Sequence, residues 1–157
     1  MVLSACSSSG ASSVERSASP KSACSLLTGQ DATKALGGPV QGPSECSTSP
    51  GNQSGGLYFL SGQGTLLVHV SWDKRTVTAF TVTHSGHAKY LGGTVPPQYA
   101  KVTVAGVSAY WQLSPAPGPG NTQRVSSLKR GYVVTFTSMG LSHSEVDQAL
   151  AVTLDHL

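Results

Sequence analysis

Few side chains in this sequence are of types that could do chemistry. Among five histidines, the closest pair lies in His84-Ser85-Gly86-His87. Two such rings could hold one metal ion if His69 or His143 supplied a third ligand, because a catalytic zinc site needs three protein groups around an open position. Neither the spacing nor the flanking residues match a ligand pattern, so ordinary loop histidines are the simpler reading and no metal or cofactor is expected. Ser85 beside His84 would be a nucleophile only on a sharp turn with a base and an orienting acid, and no Gly-x-Ser-x-Gly occurs. Of seven acids, three (Glu145, Asp147 and Asp155) fall on what should be the exposed side of a C-terminal helix, which argues against a glycosidase-type carboxylate pair. Gly62-Gln63-Gly64 sits in a turn with no following helix to bind a phosphate. No catalytic residue is therefore assigned. A hydrolase or metal-dependent enzyme using His84, His87 and Ser85 stands as the alternative.

The cysteines are more telling. Leu3-Ser4-Ala5-Cys6, followed by Ser7-Ser8-Ser9-Gly10, reads as a lipoprotein cleavage box and its tether: small residues precede a cysteine whose thiol would then be acylated. The charged and apolar regions of such a signal would precede Met1, so the true start is expected upstream. With Cys6 acylated, Cys24 and Cys46 remain for one disulfide, contributing about 3 kcal/mol by chain entropy. Two buried free thiols, or a metal site without a nearby histidine, are the competing readings. Acylation would place the protein outside the cytoplasm, anchored by lipid to the outer face of the cytoplasmic membrane.

Composition agrees with one domain. The chain has 157 residues, 38% of them hydrophobic, enough for a single core. It holds no run of about 18 apolar residues. The net charge of +3 is scattered from Arg16 to Arg130 rather than gathered in a stripe, so nucleic acid is not an expected partner.

The elements that would position these groups are read from periodicity. Residues 1–22 read as a signal remnant and a Ser-rich leader too polar to order itself, and residues 23–157 as one domain. Thr28-Gly29-Gln30-Asp31 resembles a capping box opening a helix with Ala32, Ala35 and Leu36 on one side, stopped by Gly37-Gly38-Pro39. Residues 41–56, rich in Gly, Pro and Ser, read as a loop tied down by Cys46. Strands are expected at 57–60 and 65–72, with Leu66, Val68, Val70 and Trp72 on one face. Residues 74–84 are ambiguous: their β-branched content favours a strand, while Val77, Phe80, Thr81 and His84 would line a helix after a capping Asp73. Residues 85–100 read as loop. Strands come next at 102–104 and 107–113, then a hairpin over 124–129 and 132–138 turning at Arg130-Gly131. Ser142 and Glu145 cap a last helix whose stripe of Val146, Ala149, Leu150, Thr153, Leu154 and Leu157 must lie on the sheet. Tyr110 and Trp111 point to opposite faces of their strand, so one ring enters the core and the other could face a ligand.

Ala23-Cys24-Ser25-Leu26-Leu27-Thr28, Ala35-Leu36-Gly37 and Cys46, then Val104-Ala105-Gly106-Val107-Ser108-Ala109-Tyr110-Trp111 and Gly131-Tyr132-Val133-Val134, resemble small envelope lipoproteins of unknown function, of the kind found in actinobacteria. The resemblance covers most of residues 23–157. It implies a lipid-anchored, disulfide-closed α+β domain and a helix over 74–84, and it carries no catalytic residues. The combined expectation is an antiparallel sheet of about five strands under two or three helices. Such a domain would be a non-enzymatic module binding a protein, an envelope lipid or a small ligand.

Overall fold

The computed structural model of the chain describes residues 19–49, 52–60, 64–84, 98–113 and 122–157. Cys6, most of the expected leader, Ser85 and His87 lie outside these residues. In chain order the elements are α1 (Ala23–Leu26), α2 (Gly29–Leu36), β1 (Val40–Ser49), β2 (Gln53–Leu60), β3 (Gly64–Ser71) and α3 (Lys74–His84). Then come β4 (Gln98–Val104), β5 (Val107–Leu113), β6 (Thr122–Lys129), β7 (Tyr132–Met139) and α4 (His143–Asp155).

The class is α+β with an antiparallel sheet, as the periodicity implies, but the described residues form seven strands and four helices rather than about five and two or three. The sheet runs β1-β2-β3-β7-β6-β5-β4. Two antiparallel meanders, β1-β2-β3 and β4-β5-β6-β7, therefore meet along β3 and β7. The extra strand comes from the stretch expected to be loop. Val40–Ser49 pairs with β2 despite its Gly and Pro, because it is an edge strand and its register slips between Gln41 and Ser44 and again between Ser44 and Ser47. Such irregularity is tolerated where only one side must hydrogen-bond. Pairing with β5 likewise extends β4 back to Gln98, into the segment expected to be loop.

The helix ends are as their residue types dictate. Thr28 and Asp31 form a reciprocal capping box on α2, and Gly37 closes that helix with φ 72°, where a side chain would be strained. Ser142 and Glu145 do the same at the start of α4. The two-residue turns Ala105-Gly106 and Arg130-Gly131 both have positive φ throughout, the geometry that matches strand twist in tight hairpins.

One face of the sheet is the core face. Tyr58, Leu66, Val68, Val70, Val125, Val134 and Phe136 are buried beneath α1, α2 and α4, whose Leu26, Ala32, Leu36, Val146, Leu150 and Leu154 complete a single cluster. The far end of α4 is held by several donors: Lys129 Nζ reaches the Leu154 carbonyl, Arg130 donates to the Leu157 carbonyl at 2.8 Å, and His156 meets the Leu26 carbonyl at 2.7 Å. Cations there suit the negative end of the helix. Residues just ahead of α1 already touch the domain, since the Tyr132 hydroxyl donates to the Ser19 carbonyl and Lys21 to that of His156 at 3.2 Å. Cys24 and Cys46 are joined in a disulfide across 22 positions, linking α1 to the edge strand. Gly56 lies under it: a Cβ there would come within 2.9 Å of the Cys24 sulfur.

Residues 74–84 are helical, against their strand propensity. Asp73 Oδ1 accepts from the Thr76 amide at 2.8 Å, capping the first turn. β3 is already paired on both sides, by β2 and β7, so the chain leaving it finds no free strand beside it. α3 instead crosses the second face of the sheet, with none of its residues fully buried.

Candidate functional site

The site is built where α3 passes over that second face. Strand alternation turns Tyr99, Tyr110, Gln112, Arg124, Ser126, Val133 and Thr135 toward it, and these residues line one cleft of about 420 Å³ with Thr76, Ala79, Phe80, Thr83 and His84 of α3. On the other side of the helix a second cleft of about 610 Å³ is bounded by Phe80, Thr81 and His84 and by Val107, Tyr110, Leu128 and Arg130. Phe80, His84 and Tyr110 border both.

These rings form a cluster. His84 stacks on Tyr110 with centroids 4.1 Å apart and planes 17° from parallel, and it meets Phe80 at 4.4 Å and Tyr99 edge-on at 4.6 Å. Phe80 also approaches Tyr110 edge-on at 5.9 Å. The helical spacing of Phe80 and His84 puts both over Tyr110, so the cluster exists only because 74–84 is a helix. The clefts present ring faces and edges, one neutral-leaning imidazole and the basic Arg124, Lys129 and Arg130, with no carboxylate among the described lining residues.

No family model matches this chain, and no characterised protein or solved structure gives a match.

Of the aromatic pair singled out in the sequence, Trp111 is the ring that enters the core, 2% exposed. It does not face a ligand surface: its indole donates to Asp147 Oδ1 at 3.1 Å, and its ring stacks on His143 at 3.9 Å. Asp147 is accordingly not a solvated acid on the outside of α4, as expected, but a half-buried acceptor. Burial raises its carboxyl above the usual range, opposed by the Trp111 hydrogen bond and by the nearby His143 charge. Tyr110 is the half-buried partner that faces the clefts. The sequence did not single out Phe80 or Tyr99. The spacing of Phe80 and His84 was visible in the helix alternative for 74–84, whereas Tyr99 fell in an expected loop.

Of the histidines weighed as metal ligands, His87 lies outside the described residues. His69 lies on the α3 side, its Nε2 meeting Gln53 Oε1 at 2.8 Å, while His143 lies on the core-side helix against Trp111. No group of three His, Cys, Asp or Glu that could share an ion occurs among the described residues. No helix of the described residues is long and apolar enough to cross a membrane.

Burial pushes the His84 imidazole below its ordinary pKa, and burial does the same at His69 against the opposing charge of Asp73. A histidine whose folded pKa is depressed binds fewer protons folded than unfolded, so its contribution is complete above about pH 6.5 and is lost as pH falls through the lowered folded value. Urea midpoints are expected to drop between about pH 7.5 and 5. The carboxylates Asp31, Glu145 and Asp73, the last held down to about 2 by Thr76 and Ser71, lose their contributions only at lower pH. His84→Gln should flatten the profile in the histidine window. A variant with an unaltered slope would show that His84 is not the half-buried ring described.

Proposed function

We propose that this protein is an extracytoplasmic lipoprotein, acylated at Cys6, whose domain is a non-catalytic binding module with its ligand in the clefts beside α3. The observation that carries the binding role is the ring cluster of Phe80, His84, Tyr99 and Tyr110. Four stackable faces and edges converge at an accessible cleft under a helix that contributes nothing fully buried to the core. Aromatic groups at an open cleft suit an apolar or aromatic ligand, an envelope lipid included, better than a hydrated polar one. The Cys24–Cys46 bridge supports an oxidising compartment, which is the compartment the Leu3-Ser4-Ala5-Cys6 motif addresses. An envelope protein as the partner is the reading that a cleft without affinity for small apolar probes would favour.

The probe for the cleft is anilinonaphthalene sulfonate, an aromatic anion that fluoresces when desolvated. Phe80→Ala and Tyr110→Ala are each expected to weaken its binding about tenfold while the melting transition stays cooperative. Unchanged affinity in both would reject the cleft. Turnover of an ester or peptide substrate that disappears in His84→Gln would favour the hydrolase alternative with Ser85 and His87. The anchor is tested separately, by mass spectrometry of the Cys6 peptide from protein made with its upstream reading frame in a lipidating host.

A further inference from the structure

The two helical layers differ in what they show to solvent. All four large apolar side chains that are well exposed among the described residues belong to the α3 side: Phe59 (42%), Leu67 (43%) and Met139 (45%) on the sheet, and Val82 (47%) on α3. Strand register places the first three together. Leu67 pairs with Leu57 and with Thr137, while Thr65 pairs with Phe59 and with Met139, and directly paired residues share a face. Thr137 pairs in turn with Arg124, and Arg124 with Gln112. The apolar patch is thus continuous along the sheet with the cleft beside α3.

The acids of α2 and α4 lie away from α3, whereas cations occur on both sides. On the α3 side stand Lys74 and Arg75 at the start of the helix and Lys101 and Arg124 on the sheet, all exposed. The acid beside that helix start, Asp73, is engaged as its cap. The opposite side carries Asp31, Glu145, Asp147 and Asp155 together with exposed Lys34 on α2, while Lys21, Lys129 and Arg130 donate to main-chain carbonyls at the C-terminal end of α4, the last two also bordering the larger cleft. An exposed apolar patch adjoined by Arg124, on a side that also shows Lys74, Arg75 and Lys101 to solvent, matches a surface that is apolar within and anionic at its boundary.

We propose that the α3 side of the domain docks on an anionic phospholipid bilayer. Arg75, Lys101 and Arg124 would meet lipid phosphates, while Val82, Phe59, Leu67 and Met139 enter the boundary between headgroups and acyl chains. The docking does not depend on the acyl anchor. It is compatible with one, because the segment between Cys6 and Ser19 reaches at most about 45 Å even fully extended. With the side that bears Asp31, Glu145, Asp147 and Asp155 turned away, docking also points the openings beside α3 toward the lipid.

The test uses the full chain carrying Cys6→Ser, so that no lipid anchor contributes, and vesicles either of equal parts phosphatidylglycerol and phosphatidylcholine or of phosphatidylcholine alone. Co-sedimentation is expected with the anionic vesicles, weakening as salt is raised, and little with the neutral ones. Arg75→Gln with Lys101→Gln should reduce binding on the order of 30-fold at low salt, each basic residue near an anionic surface being worth about a factor of five. Leu67→Ser with Val82→Ser should reduce binding without changing its salt dependence. These are surface positions, and circular-dichroism melts would verify that each variant stays folded. Equal binding to neutral vesicles, or binding unaffected by both double variants, would overturn the proposal. So would a dimer in light scattering that Leu67→Ser converts to monomer, since the patch would then serve a second copy of the chain. Failure here leaves Cys6 acylation and the cleft's probe binding untouched, because both are read without vesicles.

Discussion

Leu150→Asp is expected to abolish the cooperative melting transition. Leu150 is fully buried in α4, within the cluster that joins α2, α4 and the core face of the sheet. Truncating such a leucine to alanine costs about 2–5 kcal/mol through lost transfer energy and the cavity left behind. Aspartate adds a carboxylate with no buried cation among the described residues to meet it, a further penalty of several kcal/mol unless the group takes up a proton. Against a total stability of about 5–15 kcal/mol for a domain of this size, the folded state should be depleted at room temperature. Gln148→Asp is the control: position 148 is exposed on the same helix, and a surface change there should stay within about 0.5 kcal/mol. Far-ultraviolet circular dichroism on heating would measure both. A Leu150→Asp variant that melted with the parent would contradict the packing of α4.

The second large effect is expected from removing the disulfide. Cys24→Ala with Cys46→Ala frees a loop of 22 positions, and chain entropy assigns that closure about 3 kcal/mol. At about 4 °C per kcal/mol, the melting temperature should fall on the order of 12 °C. The loss should also be local. β1 is an edge strand paired to β2 alone, with two slips of register, and α1 is a single short turn. The bridge clamps these two weak elements to each other. Hydrogen exchange in the double variant should therefore quicken first over residues 40–49 and 23–26, ahead of β3 and β7 at the centre of the sheet. Exchange that quickened uniformly, or a melting temperature that did not move, would deny the bridge this clamping role.

What was legible in the residues was whatever local chemistry dictates. The capping boxes at Thr28 and Ser142 need only side chains three positions apart. The stripe on α4 and the alternation of Leu66, Val68 and Val70 are periodicities of one element, and the turn at Arg130-Gly131 needs two residues that accept positive φ. The opposed directions of Tyr110 and Trp111 come from strand geometry alone, although which ring went inward did not.

The rest was decided at a distance. Val40–Ser49 becomes a strand because β2 offers hydrogen-bond partners, a fact absent from its own Gly- and Pro-rich composition. The segment from Lys74 to His84 is a helix because the strand before it is already flanked on both sides and Asp73 caps its first turn. That outcome overrides a β-branched composition, since propensity differs by only tenths of a kcal/mol per residue. The candidate site depends on the same nonlocal choice: Phe80 and His84 lie far along the chain from Tyr110, and only the passage of α3 over the second face of the sheet stacks their rings. Sequence by itself thus set the caps, the turns and the core stripe. Tertiary structure alone joined the aromatic rings and left one face of the sheet apolar, basic and open.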